Sequence, residues 1–219
     1  MEGIFGIYKP KGITSHDVVE IIRRKTNVKR VGHGGTLDPL AEGVLVIAVG
    51  RENTKLLETY VKGEKEYIAE IFLGANSTTD DAEGEIKKVN FKLLPTVDKV
   101  EEVSKLFIGT LMQTPPIYSS VKIAGKPAHR RVRRGETVKL EPRKVKIHSI
   151  EILDYSFPVL KLKVTTGPGV YIRSLARDIG EQLGTGGYLT SLIRTRVNNF
   201  TIDEAIKLSN SDFRPAGQS

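Results

Sequence analysis

The 219-residue sequence contains no cysteine, which removes disulfide scaffolds, thiol nucleophiles, zinc fingers and iron–sulfur clusters together. It has no stretch that could cross a membrane as a helix, since the longest purely aliphatic run is Val44 to Val49 and a span needs roughly 20 residues. The N-terminus lacks a basic-then-apolar leader pattern, so the reading is cytosolic. Neither GxxxxGK[ST] nor GxGxxG between a strand and a helix occurs, and nucleotide and dinucleotide enzymes drop out. The four histidines (His16, His33, His129, His148) are scattered, which gives no metal-ligand spacing. Asp80, Asp81, Glu83 and Glu85 around Gly84 lack the order of a calcium loop and read as an acidic turn. Tryptophan is absent and aromatics make up only 6 %, yet 39 % apolar and 27 % charged residues describe an ordinary globular chain.

Charge is present and unevenly placed. The formal net charge is +8, from 34 basic and 26 acidic residues. Between Lys122 and Lys146 there are ten basic residues against Glu136 and Glu141, a local excess of eight that leaves the rest of the chain neutral. A neutral body with one basic segment suits a polyanion partner, because each cation set on a phosphate releases a counterion; a solvated loop is the plainer alternative.

Apolar periodicity places strands at Ile4–Tyr8, Val44–Val49, Lys65–Leu73 and Val159–Thr166, the second apolar on both faces and hence central. Helices are expected from Ser15, with Val18, Val19 and Ile22 on one face; through Val97, Val100, Val103 and Phe107; and through Ile172, Leu175, Ile179 and Leu183, this last carrying Arg173 and Arg177 on another face. A further helix is expected to end near Leu208. Strands and helices mix without steady alternation, which favours an α+β fold. Residues 113–142, with four prolines and most of the basic cluster, read as an insertion.

The segment Gly32-His33-Gly34-Gly35-Thr36-Leu37-Asp38-Pro39 concentrates three glycines, which permit positive φ and close approach, just before a lone carboxylate. Asp38 could equally cap a short helical turn that starts at Pro39.

This segment follows Lys9-Pro10-Lys11-Gly12 and precedes Lys65-Glu66-Tyr67, Thr79-Asp80-Asp81-Ala82-Glu83-Gly84, Pro116-Ile117-Tyr118-Ser119-Ser120-Val121-Lys122 and Gly169-Val170-Tyr171-Ile172-Arg173-Ser174. In order and spacing the set resembles the bacterial TruB family of tRNA pseudouridine synthases, from about residue 3 to about 208. The resemblance implies a mixed, largely antiparallel sheet with flanking helices and a basic thumb. It implies conversion of uridine 55, in the T-arm loop of tRNA, to pseudouridine, with no cofactor or metal and no protein partner beyond a monomer.

By the family pattern Asp38 is the catalytic carboxylate, Tyr67 stacks on the base and assists proton transfer, and Arg173 pairs with Asp38. On the same pattern Tyr171 and Leu192 line the uracil pocket, and His33 enters the RNA loop and helps to hold the base outside its stack. Lys9, Lys126, Arg130, Arg131, Arg133 and Arg134 complete the RNA-binding set. A lone carboxylate suits a glycosidic rearrangement in a dry pocket, and a buried carboxylate needs a cation. A non-catalytic module that flips and refolds RNA is the rival reading.

The chain departs from the family at Ala128, His129 and Val132-Arg133, where a leucine, a tyrosine and an alanine-arginine pair are usual. A catalytic domain is expected over 1–209, followed by a frayed tail over 210–219 and no C-terminal PUA domain.

Overall fold

The computed structural model describes residues 2–119, 121–123, 125–132, 134–209 and 212, without the side chains of 122, 123, 126, 127, 129 and 130. Arg133, the side chains of Lys126 and Arg130, and all of the expected tail except Asp212 therefore lie outside the described residues.

The chain begins with β1 (Gly3–Lys9), α1 (Ser15–Thr26), β2 (Val31–Gly34), β3 (Glu42–Val49), α2 (Arg51–Lys55) and α3 (Leu57–Val61). Next come β4 (Lys65–Leu73), β5 (Ala75–Ser77), β6 (Ile86–Lys88), α4 (Val97–Lys105), β7 (Gly109–Gln113), β8 (Lys122–Ile123), β9 (Lys126–Pro127) and α5 (Ala128–Val132). It ends with β10 (Arg143–Ser156), β11 (Val159–Thr166), α6 (Ile172–Gln182), β12 (Gly187–Val197), β13 (Phe200–Thr201) and β14 (Ile206–Lys207). Two compact units result, one of residues 1–68 with 192–219 and one of residues 69–191. The first draws on both ends of the chain, so no single linker marks its border.

In the first unit β3 is the central strand. β1 runs antiparallel to it from Gly3↔Val49 to Lys9↔Gly43, and β2 is antiparallel from Val31↔Val49 to Gly34↔Val46. β12 joins in parallel at Ile193↔Glu42 and Arg194↔Gly43. Both faces of β3 are covered, which is why its sequence is continuously apolar. Leu45, Ile47 and Val49 meet Val18, Val19 and Ile22 of α1. Val44 and Val46 meet Leu57, Tyr60 and Phe200.

A capping box starts α1: the Thr14 N–H donates to Asp17 Oδ2 at 2.8 Å, and the Asp17 N–H donates to Thr14 Oγ1 at 3.1 Å. The left-handed residue Asn27 (φ 54°) ends it.

Two expectations change here. Gly32 and Gly34 lie in a strand and serve close packing, since a Cβ there would stand 3.0 Å from Leu57 and 3.1 Å from Tyr60; of the three glycines only Gly35 has positive φ, at +94°. Among the described residues near Leu208 there is β14 in place of the expected helix, parallel to β1 at Ile7↔Ile206 and Tyr8↔Lys207. An available strand edge outweighs local helix propensity in so short a segment.

In the second unit the sheet order is β4–β11–β10–β7, with β10 antiparallel to both its neighbours. The apolar faces of α4 and α6 are buried through Val100 and Val103 and through Ile172, Leu175 and Ile179. The described residues of the insertion carry their own small structure. They form the small hairpin β8–β9, followed by α5, and Val121, Ala128 and Leu140 build a core with Val138 and Tyr171. The mixed sheet and irregular helix placement are those of an α+β protein.

Candidate active site

The Asp38 loop is fastened on both sides of the carboxylate. Ahead of it, Ser15, the first residue of α1, donates its hydroxyl to Leu37 O at 3.0 Å and accepts the Leu37 N–H at 2.8 Å. Behind it, the Gly12 N–H donates to Pro39 O at 2.8 Å, which ties the Lys9-Pro10-Lys11-Gly12 turn to the loop. The Ala41 N–H closes on Asp38 O at 3.0 Å, so Asp38 opens a β-turn with Pro39 in second place, where proline's fixed φ belongs. The helical-cap alternative gives way to this turn: no helix lies between β2 and β3. Asp38 itself is half-buried.

Arg194, from β12, lies behind this loop and is 1 % exposed. Its Nε donates to Val44 O at 2.8 Å, Nη1 to Thr36 O at 3.3 Å and Nη2 to Gly35 O at 3.1 Å. It also interacts electrostatically with Tyr67 and Asp38. Burial pulls the guanidinium down from its ordinary value, while Tyr67 and Asp38 oppose that pull. Tyr67, on the inward face of β4, is buried, as is Leu192 on β12.

Lys9 is fully buried, and its Nζ donates to Pro10 O at 2.9 Å and Ile13 O at 2.7 Å. It holds the turn that supports the Asp38 loop, and this replaces the RNA contact expected of it. Desolvation pulls its ammonium down to about 8 against the opposing charges of Asp38 and Glu42. Lys65 is likewise about 8, lowered first by desolvation and then by Arg194; its Nζ donates to Val61 O and Gly63 O at 2.8 and 2.7 Å. His33, in β2, is lowered by burial and by the charges of Arg194 and His16, which favours the neutral ring at pH 7.

The remaining candidates belong to the second unit. Arg173 is 6 % exposed rather than solvated; it faces Asp81 at 3.4 Å and donates to Thr79 O at 3.2 Å and Tyr118 O at 3.0 Å. Arg177 pairs with Asp80 at 2.8 Å and donates to Thr114 O at 3.0 Å. The acidic turn is therefore a docking point for two arginines of α6, and burial pushes the Asp80 carboxyl up despite them. Gln113 clamps Tyr171: Oε1 accepts the Tyr171 N–H at 2.9 Å and Nε2 donates to Tyr171 O at 3.1 Å. In the insertion Arg131 pairs with Glu136, while Arg134 is exposed.

Residues 23–172 match the family model described as TruB family pseudouridylate synthase, N-terminal domain. The chain belongs to the TruB family. Residues 173–211 match the model of the tRNA pseudouridylate synthase B C-terminal domain. The protein named tRNA pseudouridine synthase B of Corynebacterium diphtheriae is 47 % identical over 97 % of this chain and 73 % of its own length. Its namesake in Thermobifida fusca is 44 % identical over 94 % and 73 %.

Among solved structures, a chain of a Cbf5-Nop10-Gar1 complex superposes with a TM-score of 0.73 at 33 % identity, over 94 % of this chain and 52 % of that one. A chain of an H/ACA RNP bound to a substrate RNA containing 2'-deoxyuridine gives 0.69 at 30 %, over 94 % and 50 %. This chain thus spans about half the length of those structures.

Within this TruB-family chain, sequence reading passed over Arg194, Lys65, Asp81 and Gln113 as site-supporting residues. Lys65 falls inside the Lys65-Glu66-Tyr67 motif and Arg194 stands two residues after Leu192, but nothing local marks a cation as buried. Gly43 is the one oblique signal. It has φ +106°, and a Cβ there would lie 2.3 Å from Arg194 O, so the two backbones meet where the Arg194 side chain begins.

Proposed function

We propose that this chain isomerises a uridine of tRNA, position 55 in the T-arm loop, to pseudouridine, with Asp38 as the carboxylate that drives the rearrangement. The N1–C1' bond breaks, the uracil turns, C5–C1' forms, the C5 proton leaves and N1 takes up a proton, so the product is an isomer of the substrate. A uridine inside a folded loop must first be everted, at a cost of a few kcal/mol that stacking and phosphate contacts offset. Tyr67 supplies the stacking face. His33, Tyr171 and Leu192 enter the proposal as contacts to the everted nucleotide on the family pattern, and Arg173 enters as a catalytic group on that pattern alone. The basic insertion grips the RNA backbone.

The observation that carries this reading is the fastening of Asp38: a half-buried carboxylate on a loop held by Ser15, Gly12 and Arg194. A reacting group must be held near its attack geometry before substrate arrives, and loops achieve this only when their backbone is tied down.

Mass-resolved mapping of a tRNA transcript after incubation with the protein alone tests the proposal. The wild type is expected to give one pseudouridine in the T loop, and Asp38→Asn none, with tRNA affinity kept within about threefold, as fits a group acting in the transition state. Product from Asp38→Asn, or none from the wild type, overturns the reading.

A further inference from the structure

We infer that Arg194 is a positioning residue of this active site, a single guanidinium that brackets the Asp38 loop from both ends. The inference rests on the reading of Asp38 as the reacting carboxylate. The geometry is two-sided. Nη1 and Nη2 hold Thr36 O and Gly35 O, two and three residues before Asp38, and Nε holds Val44 O, six residues after it. The loop from Gly35 to Val44 is thereby closed across one rigid fork.

Only arginine has this shape. Its five N–H groups diverge in a plane, whereas a lysine ammonium is one point on a flexible stem. The approach of the strands makes the fork reach: Gly43, without a side chain, lets β3 lie against the Arg194 backbone, where a Cβ would stand 2.3 Å from Arg194 O. Burial adds a second consequence. At 1 % exposure the guanidinium charge is poorly screened, so it acts on the Asp38 carboxylate and the Tyr67 hydroxyl from a fixed point. Holding the loop and biasing its charge become the work of one side chain that need not touch the substrate.

Single-turnover and steady-state kinetics on a tRNA transcript, beside thermal melts, test this. Arg194→Met is expected to lower kcat roughly 100-fold and Arg194→Lys about tenfold, each with KM within about threefold of wild type, because misplacement of a reacting group acts on the chemical step. Arg194→Lys should still melt cooperatively.

A folded Lys or Met variant with kcat within about threefold of wild type overturns the inference, as does a loss carried by KM. A Lys variant that does not fold also overturns it, since Arg194 would then hold up the whole unit rather than aim the loop. Asp38→Asn separates the two claims. If it retains activity, the reading of the site fails whatever Arg194 does; if it is inactive while Arg194→Met turns over normally, only the positioning role fails.

Discussion

Three basic side chains, Lys9, Lys65 and Arg194, are almost out of solvent in one unit, and each answers its desolvation by donating to backbone carbonyls. Carbonyls are fixed partners that cannot be titrated away, so the charges stay tolerable without a dedicated carboxylate for each. The lysines still titrate abnormally. Burial pulls both down to about 8, whereas in an unfolded chain they titrate near ~10.4. Between those values the unfolded chain binds more protons, and the free energy of unfolding rises with pH.

Tyr8 works in the opposite sense. Burial and its hydrogen bond to Glu42 push its hydroxyl up to about 12, so between ~10 and 12 the folded state keeps a proton that the unfolded state loses, and stability falls with pH. Denaturant melts across pH 7 to 12 should therefore show stability climbing from pH 8 to 10 and falling above. Lys65→Met should flatten the climb and Tyr8→Phe the fall. A climb unchanged in Lys65→Met would show that its ammonium is not desolvated.

At the level of the element, strands that alternate or run fully apolar were readable. β1, β3, β4 and β11 appear where the sequence puts them, β4 and β11 to the residue, because burial on one or both faces is written in their side chains. β2 was not readable. Val31-Gly32-His33-Gly34 has no apolar period, and it is extended because β3 offers a free edge while α3 needs glycines beneath Leu57 and Tyr60. The short helices α2 and α3 bury no residue completely, so they leave no apolar stripe to detect.

The glycines differ in kind, which yields a second prediction. Gly43→Ala would set a Cβ 2.3 Å from Arg194 O at φ +106°, whereas Gly12→Ala meets nothing within 4 Å at φ +93°. Thermal or chemical melts should show a loss of more than about 3 kcal/mol, or no folding, for the first and about 1–2 kcal/mol for the second. Equal losses would mean that the β3–β12 approach is not rigid.

Over the whole chain, charge is the feature that composition made plain, and the structure sorts which charges are available. Arg131 faces Glu136, while Arg134 and Lys139 are exposed. If the insertion grips RNA, replacing Arg134 and Lys139 with Gln should flatten the log–log salt dependence of tRNA binding by about one unit for each phosphate left without its cation. Arg131→Gln should flatten it less. An unchanged slope in the double variant would make these cations merely solvated. The insertion is also joined to α6: Gln113 holds the Tyr171 backbone, Ser174 and Arg177 hold Thr114 O, Arg173 holds Tyr118 O, and the Tyr171 ring packs on the small core of Val121, Ala128 and Leu140.

By itself the sequence determined the family, the α+β class, the main strands and helices and the basic stretch between Lys122 and Lys146, since these follow from patterns carried within short windows. Tertiary structure alone decided which cations are buried, that Arg194 embraces the Asp38 loop, that Arg173 and Arg177 dock on Asp81 and Asp80, and that a glycine-rich stretch becomes a strand. Those outcomes depend on groups up to 159 residues apart meeting in space, and an isolated arginine carries no mark of whether water or a ring of carbonyls awaits it.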